Sequence, residues 1–283
     1  MQKNDTSPPE ENACWFGGTE RLYGREAALK LQASRVCILG IGGVGGWVAE
    51  ALARAGIGEF TLVDMDEICV SNLNRQVHAT VTNVGVSKVE AMRERIQQVS
   101  PKAEVEVCFT FFTEKTCEDL LGGDPDVVVD CIDSISHKCL LLSECRRRGI
   151  PVVTVGGAGG RSDPSKIQVV DLSQTYSDAL LFAVRKKLRQ KFNFPRNTRK
   201  KWKIPAVFSP EPVRYPQSDG SVCEKPESDA NLRLDCASGY GTAGFVTGSF
   251  GFCAASVAVD LLLKCTPKSS EHSLPNEPET VRS

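Results

Sequence analysis

Val36-Cys37-Ile38-Leu39-Gly40-Ile41-Gly42-Gly43-Val44-Gly45-Gly46 decides the fold of this 283-residue chain. A short apolar run enters a glycine turn, and Val44 to Arg54 then carries apolar residues at helical spacing, so strand, turn and helix follow one another. Glycines at Gly40, Gly42, Gly43 and Gly45 let backbone N–H groups approach phosphate oxygens at the helix N-terminus, where the dipole favours anions. Working outward, strands are expected near 36–41, 59–64, 104–109, 126–132, 151–155 and 166–171. Helices are expected near 44–55, 86–99, 114–121 and 136–148. That alternation predicts an α/β, Rossmann-like, doubly wound and mostly parallel sheet. A proline-rich stretch within 185–240 is expected to form a long crossover loop, and the apolar run from Ala243 to Leu263 a C-terminal helix.

A glycine turn alone fits any dinucleotide-binding chain; its surroundings narrow the ligand. Asp64 ends the second strand, where an acid would hold ribose hydroxyls, and Asp66 adds a second carboxylate on the same turn. Arg75 and Lys88 follow downstream. A nicotinamide enzyme has no use for this pair, whereas a guanidinium and an ammonium suit a triphosphate. Asp133, past the run from Asp126 to Ile132, faces the crevice at the strand ends and is the candidate ligand for Mg²⁺ against the phosphates. ATP and Mg²⁺ are therefore the expected cofactors.

Twelve cysteines and three histidines (His78, His137, His272) occur, yet no two cysteines are two residues apart, so no structural zinc is expected. Met1 to Glu11 is polar and unlike a secretory signal, which predicts reduced, mostly buried thiols and a cytoplasmic protein, with mitochondrial association left open. Cys236, in the polar, glycine-flanked run Leu234 to Gly239, suits an exposed thiol. Residues 1–13 and 266–283 are expected to be disordered tails around one domain spanning 14–265. The apolar stretch from Ala243 to Leu263 contains Asp260 and lacks clear anchors, so packing against the sheet is expected there, with no membrane insertion.

From Val184 to Lys203 the chain reads VRKKLRQKFNFPRNTRKKWK, with ten Lys or Arg and no acid, although the whole chain has a formal net charge of only −1. So local a basic stripe, with Phe192, Phe194 and Trp202 interleaved, suits a nucleic-acid backbone. Arg185, Lys186, Lys187, Lys200 and Lys201 are its candidate contacts.

The glycine turn, Asp64-Met65-Asp66, SNLNRQ over 71–76, Ser87-Lys88 and DCIDS over 130–134 resemble the adenylating domain of ubiquitin-activating enzymes and their bacterial ThiF-type relatives. FGGTERLYG near the start, VTVGGAGGRSDPSKIQVVDLSQTYSDAL over 153–180, YPQSDGSVC and LDCASGYGTAGFVTGSFGF resemble more specifically the tRNA threonylcarbamoyladenosine dehydratases. The resemblance implies that Asp64 holds ribose, that Asn72, Arg75 and Lys88 meet the phosphates, and that Asp133 holds Mg²⁺. It implies a homodimer in which Arg21 or Arg25 completes the partner's site; the choice between the two stays open. It further implies tRNA as substrate, cyclised through an acyl-adenylate, with Cys236 as a candidate thioester nucleophile beside direct ring closure. A cysteine desulfurase or sulfur acceptor is a candidate partner. The rival activity is adenylation of the C-terminus of a ubiquitin-like or sulfur-carrier protein.

Overall fold

The computed structural model describes residues 15–197, 200–225 and 240–264. The chain opens with helices α1 (Gly17–Tyr23) and α2 (Arg25–Gln32), then strand β1 (Arg35–Leu39), helix α3 (Gly45–Ala55) and strand β2 (Glu59–Val63). Helix α4 (Lys88–Val99), strand β3 (Glu104–Cys108), the short helix α5 (Cys117–Leu121), strand β4 (Val127–Asp130), helix α6 (Ile135–Arg148) and strand β5 (Val152–Val155) follow. Strand β6 (Gln168–Asp171), helix α7 (Ala179–Lys191), strand β7 (Pro205–Phe208), a small hairpin of β8 (Tyr215–Pro216) and β9 (Val222–Cys223), and helix α8 (Gly244–Lys264) complete the described chain.

Seven strands form one sheet in the order β3-β2-β1-β4-β5-β7-β6. All neighbours are parallel except β6, which runs antiparallel to β7 at the edge. Residues alternate between the two faces, as strand geometry requires. Val36, Ile38, Phe60, Leu62, Val127 and Val129 join one core with α3, α4 and α8. Cys37, Leu39, Val63 and Val128 join the other with α5, α6 and α7. Every residue of β4 and β5 is buried, the pattern of strands covered on both faces.

The expected strands all occur, most of them a residue or two shorter than anticipated. The expected crossover loop is corrected in part: Pro205–Phe208 is an interior strand, with its proline at the first position, the one place where a missing N–H does not interrupt a strand. The start of the basic segment is likewise the second half of α7, whose Leu181, Val184 and Leu188 are buried at helical spacing. Helix α8 is long and apolar enough to cross a membrane by length and composition. Here its Val246, Phe250, Ala254, Ala258 and Leu262 lie in the sheet's core beside α3.

Three sequence expectations, the tails 1–13 and 266–283 and the nucleophile Cys236, lie outside the described residues. Cys223, an exposed thiol on β9, donates to the Lys225 carbonyl.

Candidate active site

The site forms where parallel strands end. Gly40 leaves β1 at φ +90°, a conformation that side chains with Cβ rarely adopt, and a Cβ there would lie 2.8 Å from the Cys131 carbonyl oxygen on the exit of neighbouring β4. At Gly45, the first residue of α3, a Cβ would stand 1.8 Å from the Gly40 oxygen, so the loop closes only around a hydrogen atom. This tight closure delivers the N-terminus of α3 to the crevice.

Asp64 leaves β2 and locks onto the loop. Its Oδ2 accepts from the Ile41 backbone N–H at 2.7 Å and its Oδ1 from that of Asp66 at 2.8 Å. Burial pushes its carboxyl above the usual range, while Lys88 and the two backbone donors oppose that rise. Lys88, the first residue of α4, is buried, and its ammonium meets the exposed Asp66 carboxylate at 2.6 Å. An almost fully buried cation is thus aimed along the crevice by an acid at its rim.

Arg75 lies over the glycine loop: a Cβ on Gly43 would meet its Cγ at 3.2 Å and its Cδ at 3.3 Å. Its guanidinium donates to the Ser71 carbonyl at 2.6 Å and to Asn74 Oδ1 at 3.0 Å. Its own carbonyl accepts from the Trp47 indole of α3 at 3.0 Å and from the Thr247 hydroxyl of α8 at 3.4 Å. Asn72 is buried, and its Oδ1 accepts from the Cys69 N–H at 3.1 Å. The side-chain oxygen of Asn72 therefore caps the turn that carries Arg75, and its amide N–H₂ is the group with the donor chemistry for a phosphate.

Asp133 sits exposed between β4 and Ser134, the N-cap of α6. Two buried polar groups around the site escaped sequence reading. Asp130 and Lys138 are both fully buried and 3.0 Å apart, and Lys138 also donates to the Ile132 carbonyl at 2.8 Å. The Thr154 hydroxyl on β5 completes Asp130 at 2.6 Å. This pair fixes the turn on which Asp133 is mounted. DCIDS contains both acids, and only the end of the strand at Asp130 separates the buried one from the exposed one. The second missed group is His78, buried behind the loop, with neither ring nitrogen hydrogen-bonded among the described residues. Burial lowers its pKa to about 4, assisted by Lys88 and Arg95, so it stays neutral at pH 7.

The structure thus gathers the glycine loop, Asp64, Asp66, Arg75 and Lys88, with Asp133 at the adjoining strand exit. It does not bring in Arg21 or Arg25. Both are exposed near the junction of α1 and α2, and no hydrogen bond among the described residues joins them to the loop. The basic segment divides. Arg185 is buried, over the Phe182 ring and hydrogen-bonded to the Thr175 hydroxyl, which corrects its expected place on an RNA-facing surface. Lys187 donates to the Ser136 hydroxyl at 2.7 Å. Lys186, Lys200 and Lys201 are exposed.

A family model described as the ThiF family matches residues 19–279. The chain belongs to the ThiF family. This ThiF-family chain is 47% identical over 249 residues to the tRNA threonylcarbamoyladenosine dehydratase of Escherichia coli, covering 88% of this chain and 93% of that protein. It is 44% identical over 249 residues to the enzyme of the same name from Haemophilus influenzae, with the same coverage. Among solved structures, it is similar to the E. coli tRNA N6-threonylcarbamoyladenosine dehydratase in complex with ATP, at TM-score 0.78 and 42% identity, covering 88% of this chain and 93% of that one. Among the described residues no three His, Cys, Asp or Glu side chains gather to hold a metal ion.

Proposed function

We propose that this protein is an ATP-dependent dehydratase that cyclises the threonylcarbamoyl group of a tRNA adenosine through an acyl-adenylate. The observation that carries the proposal is the crevice in which Arg75 and Lys88 flank one glycine loop, in a chain similar to a named dehydratase over 93% of that enzyme.

In this reading the loop N–H groups and the N-terminus of α3 bind the phosphates, and Asp64 receives the ribose hydroxyls with the oxygen lone pairs left by its two backbone bonds. The threonyl carboxylate attacks the α-phosphorus and pyrophosphate leaves. The carbamoyl group then closes on the activated carbonyl and AMP leaves. The balance is one ATP to AMP and pyrophosphate for each water removed from the substrate. Arg75 and Lys88 offset charge that builds on phosphate oxygens, and because both are already held in place, little reorganisation accompanies the step. Mg²⁺ asks for only one or two protein carboxylates where phosphate oxygens supply the rest, and the exposed Asp133 has the donor chemistry and the place for it. Such an ion would neutralise the departing pyrophosphate.

The exposed Leu22, Tyr23 and Leu29 around Arg21 and Arg25 support a second copy packing on this face, which would bring one of the two arginines to the partner's crevice. Adenylation of a ubiquitin-like or sulfur-carrier protein is the alternative use of the same crevice. Pyrophosphate exchange with threonylcarbamoyl-tRNA and with carrier-protein C-termini, run side by side, separates the two. Exchange and loss of one water should occur with the tRNA; exchange with a carrier protein alone would reverse the assignment.

A further inference from the structure

At the opposite end of the strands from the glycine loop lies a cleft of ≈ 480 Å³. Its wall is built from the start of β5, the residues leading into β7 and the C-terminal end of α6. Because β1, β4, β5 and β7 are parallel, the N-terminal ends of β5 and β7 and the C-terminal end of β1 face opposite ways. The two sites are separated by at least a strand length, about 15 Å at ~3.3 Å per residue.

Arg146, Lys200, Lys201 and Lys203 line this cleft, and no acid is among its lining residues. None of the four forms an ion pair among the described residues. The backbone from Trp202 to Ile204 is nevertheless held in place. Asp171 Oδ1 accepts from the Trp202 N–H at 2.9 Å, and Oδ2 from those of Lys203 and Ile204 at 2.7 and 3.3 Å. Lys203 is held at φ +61°, a conformation uncommon for a residue with a side chain. Beneath, the buried Trp202 packs edge-on to Phe194 at 4.8 Å, and Arg189 and Arg146 cover those two rings. The indole Nε1 of Trp202, a residue more than nine-tenths buried, has no hydrogen-bond partner among the described residues. A carboxylate on the inner side of the loop thus orders its backbone while three ammonium groups are left for an outside anion.

We infer that this cleft is a second anion site that takes the phosphodiester backbone of the tRNA away from the reacting nucleotide. The inference rests on the function proposed above and deepens it. A nucleotide seated over the glycine loop does not reach the far end of the strands, whereas a stem continuous with it does, so the protein holds the RNA at two points. The division of the basic segment supports this. On α7, Arg185, Lys187 and Arg189 are engaged with the protein while Lys186 and Lys191 are exposed; in the loop, Lys200, Lys201 and Lys203 are all exposed and form no ion pair among the described residues.

The test compares wild type with a Lys200→Gln, Lys201→Gln, Lys203→Gln variant, and with the double variant that retains Lys203 in case the strained position disturbs folding. Affinity is measured against salt for full-length tRNA and for a short anticodon-loop oligonucleotide confined to the crevice. Each lost phosphate contact removes roughly 0.7–0.9 from the log–log salt slope, so the triple variant should lose about 2–3 and bind full-length tRNA about tenfold more weakly. The double variant should fall between. Binding of the short oligonucleotide and of ATP should not change. An unaltered salt slope for full-length tRNA would overturn the inference, and so would equal losses for long and short RNA. A fall in ATP or pyrophosphate affinity would reassign the cleft to free phosphates. If wild type binds no tRNA at all, the proposed function itself fails, an outcome distinct from all of these.

Discussion

The two ends of the sheet handle positive charge in opposite ways. Over the glycine loop, Lys88 is buried and paired with Asp66, and Arg75 is tied to Ser71 and Asn74. Across the sheet, Lys200, Lys201 and Lys203 stand exposed around a cleft and are ordered only through their backbone. A charge that must meet a phosphorus centre at one position gains from being fixed before the ligand arrives. A charge that tracks an RNA backbone acts by displacing counterions and gains from staying solvated and free. Cations at the two ends therefore have different surroundings, fixed by protein partners at one and left to solvent at the other.

The first way to break this comparison is to spoil the fixed end. Gly45→Ala places a methyl against the Gly40 oxygen and should cost about 3 kcal/mol or more in stability while abolishing adenylation, read by denaturant melts and pyrophosphate exchange. Gly42→Ala, with nothing within 4 Å of its Cβ, is the control that should leave stability unaltered. Equal melts for the two variants would show that the loop is not closed as described. Next, Arg75→Ala should slow adenylation by 10²–10³, about 2.7–4 kcal/mol, the scale for a lost contact to developing charge. Its effect on tRNA salt dependence should be slight. A variant that loses tRNA affinity and keeps its exchange rate would mean that the two ends have been assigned the wrong way round.

His78 sharpens the comparison through pH. Its pKa is about 4 in the fold and near 6.5 when unfolded. The unfolded chain therefore takes up the proton first as pH falls. The stability linked to neutral His78 is complete above about pH 6.5 and disappears progressively down to about pH 4, roughly 3 kcal/mol in all. Urea titrations of wild type and His78→Leu across that window should diverge, with the variant's acid limb flatter; superimposable limbs would defeat the assignment. The smallest effect is expected at Lys187→Gln. It removes one hydrogen bond to Ser136, costs less than about 1 kcal/mol and leaves the tRNA salt slope within error, unlike the cleft lysines on the same segment.

Much of this was legible in the residues. Strands β1, β2, β4 and β5 could be read because each is a short, largely apolar run bounded by glycine, proline or a charged residue. Arg75 and Lys88 could be picked out as candidate phosphate ligands from their order after the loop, and the fold places Arg75 over the loop and Lys88 against Asp66. Strand β7 was hidden because Pro205-Ala-Val-Phe208 is brief and set among prolines, and its place between β5 and β6 comes from tertiary packing. Arg185 reads the same as Lys186 in a basic run, and only the helix phase, with Leu181, Val184 and Leu188 facing inward, turns one in and the other out. The far cleft was invisible for a topological reason. Arg146 and Lys203 are distant in sequence and line one cleft only because the end of α6 and the lead into β7 lie at the same end of the strands.

The buried pair of Asp130 and Lys138 also constrains how this chain can vary between generations. Changing either partner alone strands the other as an uncompensated charge in the interior, a loss of about 3–5 kcal/mol, whereas replacing both with well-packed apolar residues is often neutral. Viable lineages are therefore separated by a valley that single substitutions do not cross cheaply, and positions 130 and 138 should be inherited as one character. The turn bearing Asp133 would be carried along with them, because Lys138 also holds the Ile132 carbonyl.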